Sequence, residues 1–241
     1  MCTVTFFPKT DGYLLTTNRD EDPNRPKALA PTQYIINGKP IYFPMDPQGK
    51  GTWVAADDTK TMCLLNGAFE KHKRRESYRH SRGIIVLNAF KYSDPEDFVN
   101  NTDVDGIEPF TLIWAEHKQV VEFRWDETQK HVKKLNPKEA HIWSSAPLYN
   151  ERVRKLREDW LKDFENQHAD PGPEVIMGFH LNGGNEIAEE KIKMWRNGGI
   201  PSSISVTQIH LSNNLVRMHY LDLLNESRHE ISFGAKGNEP R

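Results

Sequence analysis

Residues 2–22 read CTVTFFPKTDGYLLTTNRDED. From Cys2 to Phe7 small or polar residues alternate with β-branched and aromatic ones. Thr10-Asp11-Gly12 then supplies a turn, and Tyr13 to Asn18 returns as a second extended run, so the stretch is expected to form a β-hairpin. The return strand runs straight into Arg19-Asp20-Glu21-Asp22, after which Pro23 and Pro26 break regular pairing. An antiparallel return of this length brings Arg19 back alongside Cys2, and a guanidinium there lowers a thiol pKa. If Met1 is trimmed, Cys2 carries both a thiol, with a reference pKa of about 8.5, and an α-amino group at about 7.7 to 8.0. A nucleophile and a base then share one residue. The plainer alternative is that Cys2 is a buried small hydrophobe at the start of an edge strand. Asp20 or Asp22 could hold the amino group by a charge-assisted hydrogen bond. If the strand persists, Arg19 and Glu21 share one face and Asp20 and Asp22 the other, unless the chain bends before Pro23.

The 241 residues can bury a substantial core and are expected to form a single domain, 1–241. A hydrophobic content of 37% and a net charge of -2 suit a soluble globular protein and give no reason to expect nucleic acid as a partner. The start lacks a secretory signal, and no stretch of roughly 18 apolar residues offers a membrane span. The expected location is therefore the cytoplasm, where Cys2 and Cys63 stay thiols. No His-Glu-x-x-His or paired-cysteine spacing supports a metal site, no G-x-S-x-G supports a serine triad, and the glycine pairs lack the context of a phosphate loop. No cofactor is expected.

Strands are expected at Ile41 to Pro44, Gly51 to Ala56 and Lys60 to Asn66, making the early chain a β-meander. The segment Glu70 to His80, EKHKRRESYRH, lacks an apolar period and reads as an exposed loop. Its Lys71, Lys73, Arg74, Arg75 and Arg79 could rim a pocket and attract a carboxylate or phosphate, though charge runs are usually solvated surface. A helix is expected from Ser81, and Ser93-Asp94-Pro95-Glu96 has the form of a capped start for another. Phe110 to Ala115 and Val120 to Trp125 form a further hairpin, with short strands at Val132 to Leu135 and His141 to Ser144. Val153, Leu156, Trp160, Leu161 and Phe164 give an amphipathic helix between Pro147 and His168. Another helix starts near Pro173 and ends at Asn182-Gly183-Gly184, and strands close the chain at Ile204 to Leu211 and Val216 to Leu221. Trp53, Trp125, Trp143 and Trp160 read as packing residues, and Cys63 as core. The expected class is α+β, with stacked sheets covered by helices.

Met1-Cys2-Thr3, the run Asn18-Arg19-Asp20-Glu21 followed by Arg25-Pro26, then Gly51-Thr52-Trp53 and Ser81-Arg82-Gly83, resemble the NRDE family. This is also called the Transport and Golgi organization protein 2 family. The resemblance implies the N-terminal nucleophile hydrolase fold, a four-layer αββα sandwich with the nucleophile on its first strand. A more distant similarity to penicillin V acylase and bile salt hydrolase implies hydrolysis of a non-peptide amide bond of a small-molecule substrate. It implies Cys2 as nucleophile working with Arg19 and an aspartate, Asp20 ranked before Asp22, and Asn66 in the oxyanion hole. Asn18, Glu21 and Asp22 are possible supporting residues. Ser145 stands where those relatives carry a second asparagine, a departure that suits a noncatalytic protein as well as a weaker catalyst. The alternative is a binding or trafficking protein handling haem or lipid, as animal relatives are implicated in secretory organisation, lipid homeostasis and haem handling.

Overall fold

A computed structural model describes residues 3–195, 201–213 and 215–234. The hairpin forms with β1 at Thr3–Lys9 and β2 at Gly12–Glu21. Its register sets Thr3 opposite Asn18, Val4 opposite Thr17 and Lys9 opposite Gly12. The strand β2 therefore continues through the whole Asn-Arg-Asp-Glu run, and the bend follows it. From there the chain builds β3 (Leu29–Ile36), β4 (Lys39–Met45), β5 (Val54–Ala56) and β6 (Lys60–Asn66). Two helices follow, α1 (Gly83–Ala89) and α2 (Pro95–Asn101), before β7 (Phe110–Glu116), β8 (Gln119–Trp125), β9 (Lys130–Leu135) and β10 (His141–Ser144). Helices α3 (Glu151–Gln167) and α4 (Pro173–Asn182) lead to β11 (Ser202–Ser212), β12 (Leu215–Asp222) and β13 (Ser227–Gly234).

These strands make two large antiparallel sheets, one in the order β10-β1-β2-β11-β12-β13 and the other running β3 to β9 in sequence. The early chain is thus not one meander. After β2 it leaves the first sheet, and β3 starts the second. Neither β3 nor β13 was expected: β3 alternates poorly, being mostly part-exposed, and β13 carries charged residues through its centre. Both are edge strands, which need only one partner and tolerate polar faces.

Apolar burial ties the layers together. Val4, Phe6, Tyr13 and Leu15 of the first sheet pack against Val54, Cys63, Leu65 and Ile113 of the second. On the second sheet's other face, Met62, Leu64 and Trp114 receive Ile85, Val86 and Phe98 from α1 and α2. Phe7 and Leu14, on the first sheet's other face, receive Leu161, Ile176 and Phe179 from α3 and α4. Local chemistry sets the helix starts: Asp94 accepts from the Asp97 N–H at α2, Asn150 from the Val153 N–H at α3, and α4 opens on Pro173. Among the described residues no helix is long and apolar enough to cross a membrane.

Candidate active site

Because β2 stays regular to Glu21, pleating divides the motif between two environments. Tyr13 and Leu15 lie between the sheets, and Arg19 continues that face. Its guanidinium sits 4.4 Å from the centre of the Trp53 ring and 3.4 Å from Asp46, with Arg19 only 3% exposed. Burial pulls the Arg19 pKa down, opposed by the Asp46 charge. Asp46 follows β4 in the other sheet and also takes two hydrogen bonds from Arg25, at 3.1 and 2.7 Å, and the backbone N–H groups of Gln48 and Gly49. Burial pushes its carboxyl up, but the Arg25 and Gly49 hydrogen bonds outweigh it and hold the pKa below the usual carboxylate value. Glu21 accepts from the Asp22 N–H at 3.0 Å and lies 3.8 Å from Arg25.

Asn18 and Asp20 turn the other way. The Asn18 amide nitrogen donates to the carbonyls of His180 and Ile192, which fixes its oxygen toward His180 Nδ1 at 2.5 Å. His180 therefore carries its proton on Nδ1 and accepts from the Thr5 hydroxyl at Nε2, 2.7 Å away. It is fully buried, and burial, helped by the Arg157 charge, pulls its pKa down to about 3. Asp20 accepts from Tyr149 at 2.8 Å and Ser203 at 2.5 Å. Asp22 is spent on a local turn, receiving the Asn24 N–H at 2.8 Å. Arg19 and Asp20, paired in the sequence reading, thus serve opposite faces of one strand.

The start of β1 is held by Arg157 of α3. This fully buried guanidinium donates to the Thr3 hydroxyl at 2.7 Å and to the Glu190 carbonyl at 3.0 Å, and it stacks 3.7 Å from the centre of the Tyr149 ring. Cys2 lies outside the described residues.

Asn66 ends β6, and the turn after it is tightly built. Gly67 has φ +79°, and a Cβ there would come within 2.2 Å of the Pro147 ring, so the position requires glycine. Ser145 is buried and its hydroxyl donates to the Asn66 carbonyl at 2.9 Å, tying the end of β10 to the end of β6. The Gly51-Thr52-Trp53 and Ser81-Arg82-Gly83 runs are also in backbone contact: Thr52 N–H donates to the Gly83 carbonyl at 3.2 Å, and a Cβ on Gly51 would lie 2.5 Å from Gly83.

Around these elements opens a cleft of about 440 Å³ whose walls include Arg19, Glu21, Arg25, Asp46, Trp53 and Asn66. A smaller hollow of about 270 Å³ adjoins it, sharing Glu21, Asn66, Arg82 and Glu108 and adding Asp20 and Asp22. Of the basic loop, Arg74 and Arg75 reach the cleft wall, whereas Arg79 pairs with Asp103 and Lys71 and Lys73 do not line it. A larger cavity of about 660 Å³ lies elsewhere, under α3 beside Leu65, Trp143 and Arg124, and touches none of the Asn-Arg-Asp-Glu run.

Asp46, Tyr149, Arg157 and His180 escaped the sequence reading. Asp46 had one local signal, the turn-forming Asp-Pro-Gln-Gly at 46–49; the others are recognised only through partners far along the chain. Among the described residues no group of three or more His, Cys, Asp or Glu side chains could hold a metal ion.

The architecture is thus that of a mixed α/β protein with two large antiparallel sheets, four helices among the described residues, and a polar, arginine-bearing cleft at the sheet ends. Residues 1–217 match the family model described as Transport and Golgi organisation 2, and the chain belongs to that family. No curated protein matches the chain significantly.

Proposed function

We propose that the protein is a single-domain cysteine N-terminal nucleophile hydrolase, a four-layer αββα sandwich that cleaves a non-peptide amide bond of a small molecule in the reducing cytoplasm. The reading places the nucleophile on Cys2 after loss of Met1. Its main support is the register of the first hairpin: Thr3 faces Asn18, one residue from Arg19, whose guanidinium lines the cleft. Three apolar clusters, one between the sheets and one under each helix pair, agree with the four-layer form.

In this reaction the Cys2 thiolate adds to the amide carbonyl carbon. Arg19 favours the thiolate, and Asn66 stabilises the oxyanion. The α-amino group carries the thiol proton to the leaving nitrogen as the C–N bond breaks, giving an amine and a thioester. Water then cleaves the C–S bond, releasing a carboxylic acid and restoring the thiol. On this reading Asp20, held by Tyr149 and Ser203, supports the strand end from the helix side, with Asn18, Glu21 and Asp22 as its neighbours.

The test is intact-mass spectrometry of Met-free protein after exposure to an activated acyl ester, with Cys2→Ala as control. One acyl adduct per chain, mapped to Cys2 and absent in the control, supports the hydrolase; failure to acylate Met-free protein refutes it. One observation favours the second reading, a noncatalytic ligand carrier: the Ser145 hydroxyl is committed to the Asn66 carbonyl, so it offers the oxyanion no donor. A carrier would bind ligand in the same cleft with Met1 still present.

A further inference from the structure

Trp53 lines the cleft yet is only 4% exposed, and its indole Nε1 is buried with no acceptor among the described residues. A buried N–H without a partner is uncommon in native proteins, and a ligand acceptor is one way to satisfy it. The Arg19 guanidinium lies over the same ring, and its one side-chain hydrogen bond among the described residues is the 3.4 Å contact to Asp46. Five N–H donors radiate from a guanidinium, so the Asp46 contact leaves most of this one's capacity unused. Two underused donors, one of them charged, therefore adjoin in one wall.

We propose that Trp53 Nε1 and the Arg19 guanidinium together receive the carboxylate of a small monoanionic ligand, making Trp53 a specificity-determining residue of the cleft. The inference rests on the reading of this cleft as the ligand site. A carboxylate can offer one oxygen to a guanidinium N–H and its other oxygen to the indole N–H. The cleft also holds Glu21, Asp46, Glu76 and Glu108, whose charges oppose a dianion such as phosphate. At the mouth, Arg75 is engaged by Glu127 at 3.0 Å, and Glu108 is shared among His72, Arg82 and, at 4.0 Å, Arg74. Arginines and acids nearly balance, so selection comes from directed hydrogen bonds rather than from a broad positive field.

The six tryptophans allow a direct test by ¹⁵N-indole NMR. Sodium acetate, titrated at constant ionic strength, should move the indole resonance that Trp53→Phe deletes, downfield and to saturation. Acetamide and inorganic phosphate should need at least tenfold higher concentration for the same shift. Should Trp53→Phe fail to fold, the resonance is assigned in the wild-type protein from through-space contacts to Tyr220, whose ring centre is 6.5 Å away. Acetate moving no indole resonance, or only others, overturns the proposal; acetamide or phosphate matching acetate overturns the carboxylate preference. An acyl adduct on Cys2 with the Trp53 resonance unmoved by acetate defeats this inference alone. Movement without an adduct supports it and counts against the hydrolase.

Discussion

Arg19 of β2 and Asp46, which follows β4, face each other at 3.4 Å across the gap between the two sheets. Asp46 is also fixed by Arg25 at 2.7 Å, so one carboxylate holds the motif arginine and the chain that leaves the motif. Replacing Asp46 by Ala would leave the buried Arg19 without its ion pair. Removing one partner of a buried pair typically costs about 3–5 kcal/mol; with Asp46 at the cleft edge the expected loss is near the lower bound. Urea unfolding should show the midpoint falling, and acylation of Cys2 should slow as Arg19 loses its orientation.

Acid should weaken the same contact. The folded-state pKa of Asp46 is depressed by the Arg25 and Gly49 hydrogen bonds against the opposing effect of burial. Its stabilisation is therefore complete above the unfolded value and disappears as pH falls through the lower folded one. In wild-type protein, stability should decline below about pH 4, and Asp46→Asn should flatten that part of the curve.

His180 gives a second, separate pH window. Its folded pKa is about 3 against an ordinary 6.5, so between these values the unfolded chain binds the extra proton and stability rises with pH. Above 6.5 the histidine is neutral in both states and its contribution to the slope ends. The slope from this one group approaches about 1.4 kcal/mol per pH unit. Denaturant titrations from pH 4 to pH 7 should show it in wild-type protein and lose it in His180→Gln.

Gly67→Ala tests the turn that presents Asn66. The left-handed backbone costs an alanine roughly 1–2 kcal/mol, and its Cβ would meet the Pro147 ring at 2.2 Å, adding about 1–3 kcal/mol of overpacking. A thermal midpoint lower by several degrees is expected, together with slower Cys2 acylation. An unchanged midpoint would show that the turn relaxes freely.

Ser145→Ala removes the hydroxyl that reaches the Asn66 carbonyl. One net hydrogen bond is worth about 1 kcal/mol, so stability should fall modestly. Ser145→Asn distinguishes positioning from direct participation: if the residue only anchors Asn66, the asparagine should not raise the acylation rate above wild type.

Much of this was legible along the chain. The first hairpin, the cap at Asp94, the proline start of α4 and the amphipathic α3 are written in neighbours a few residues apart, where backbone chemistry and period act directly, although β2 runs past the expected end at Asn18 to Glu21. Even the division of Arg19 and Glu21 from Asp20 follows from pleating, once the strand is known to persist. The edge strands β3 and β13 were not legible, because an edge buries too little to impose an apolar alternation.

By itself, then, the sequence determined most of the stretches that extend or coil, the edge strands β3 and β13 apart, along with the Asn-Arg-Asp-Glu run whose Arg19 and Glu21 line the cleft. Only the tertiary structure decided which sheet each strand joins and which groups meet Arg19, Asn18 and Asp20. Those partners, Asp46, His180 and Tyr149, lie 27, 162 and 129 residues away along the chain. No local preference encodes such distances; they follow from burying the apolar faces of two sheets and two helix pairs against one another, which fixes register and so brings the polar groups together.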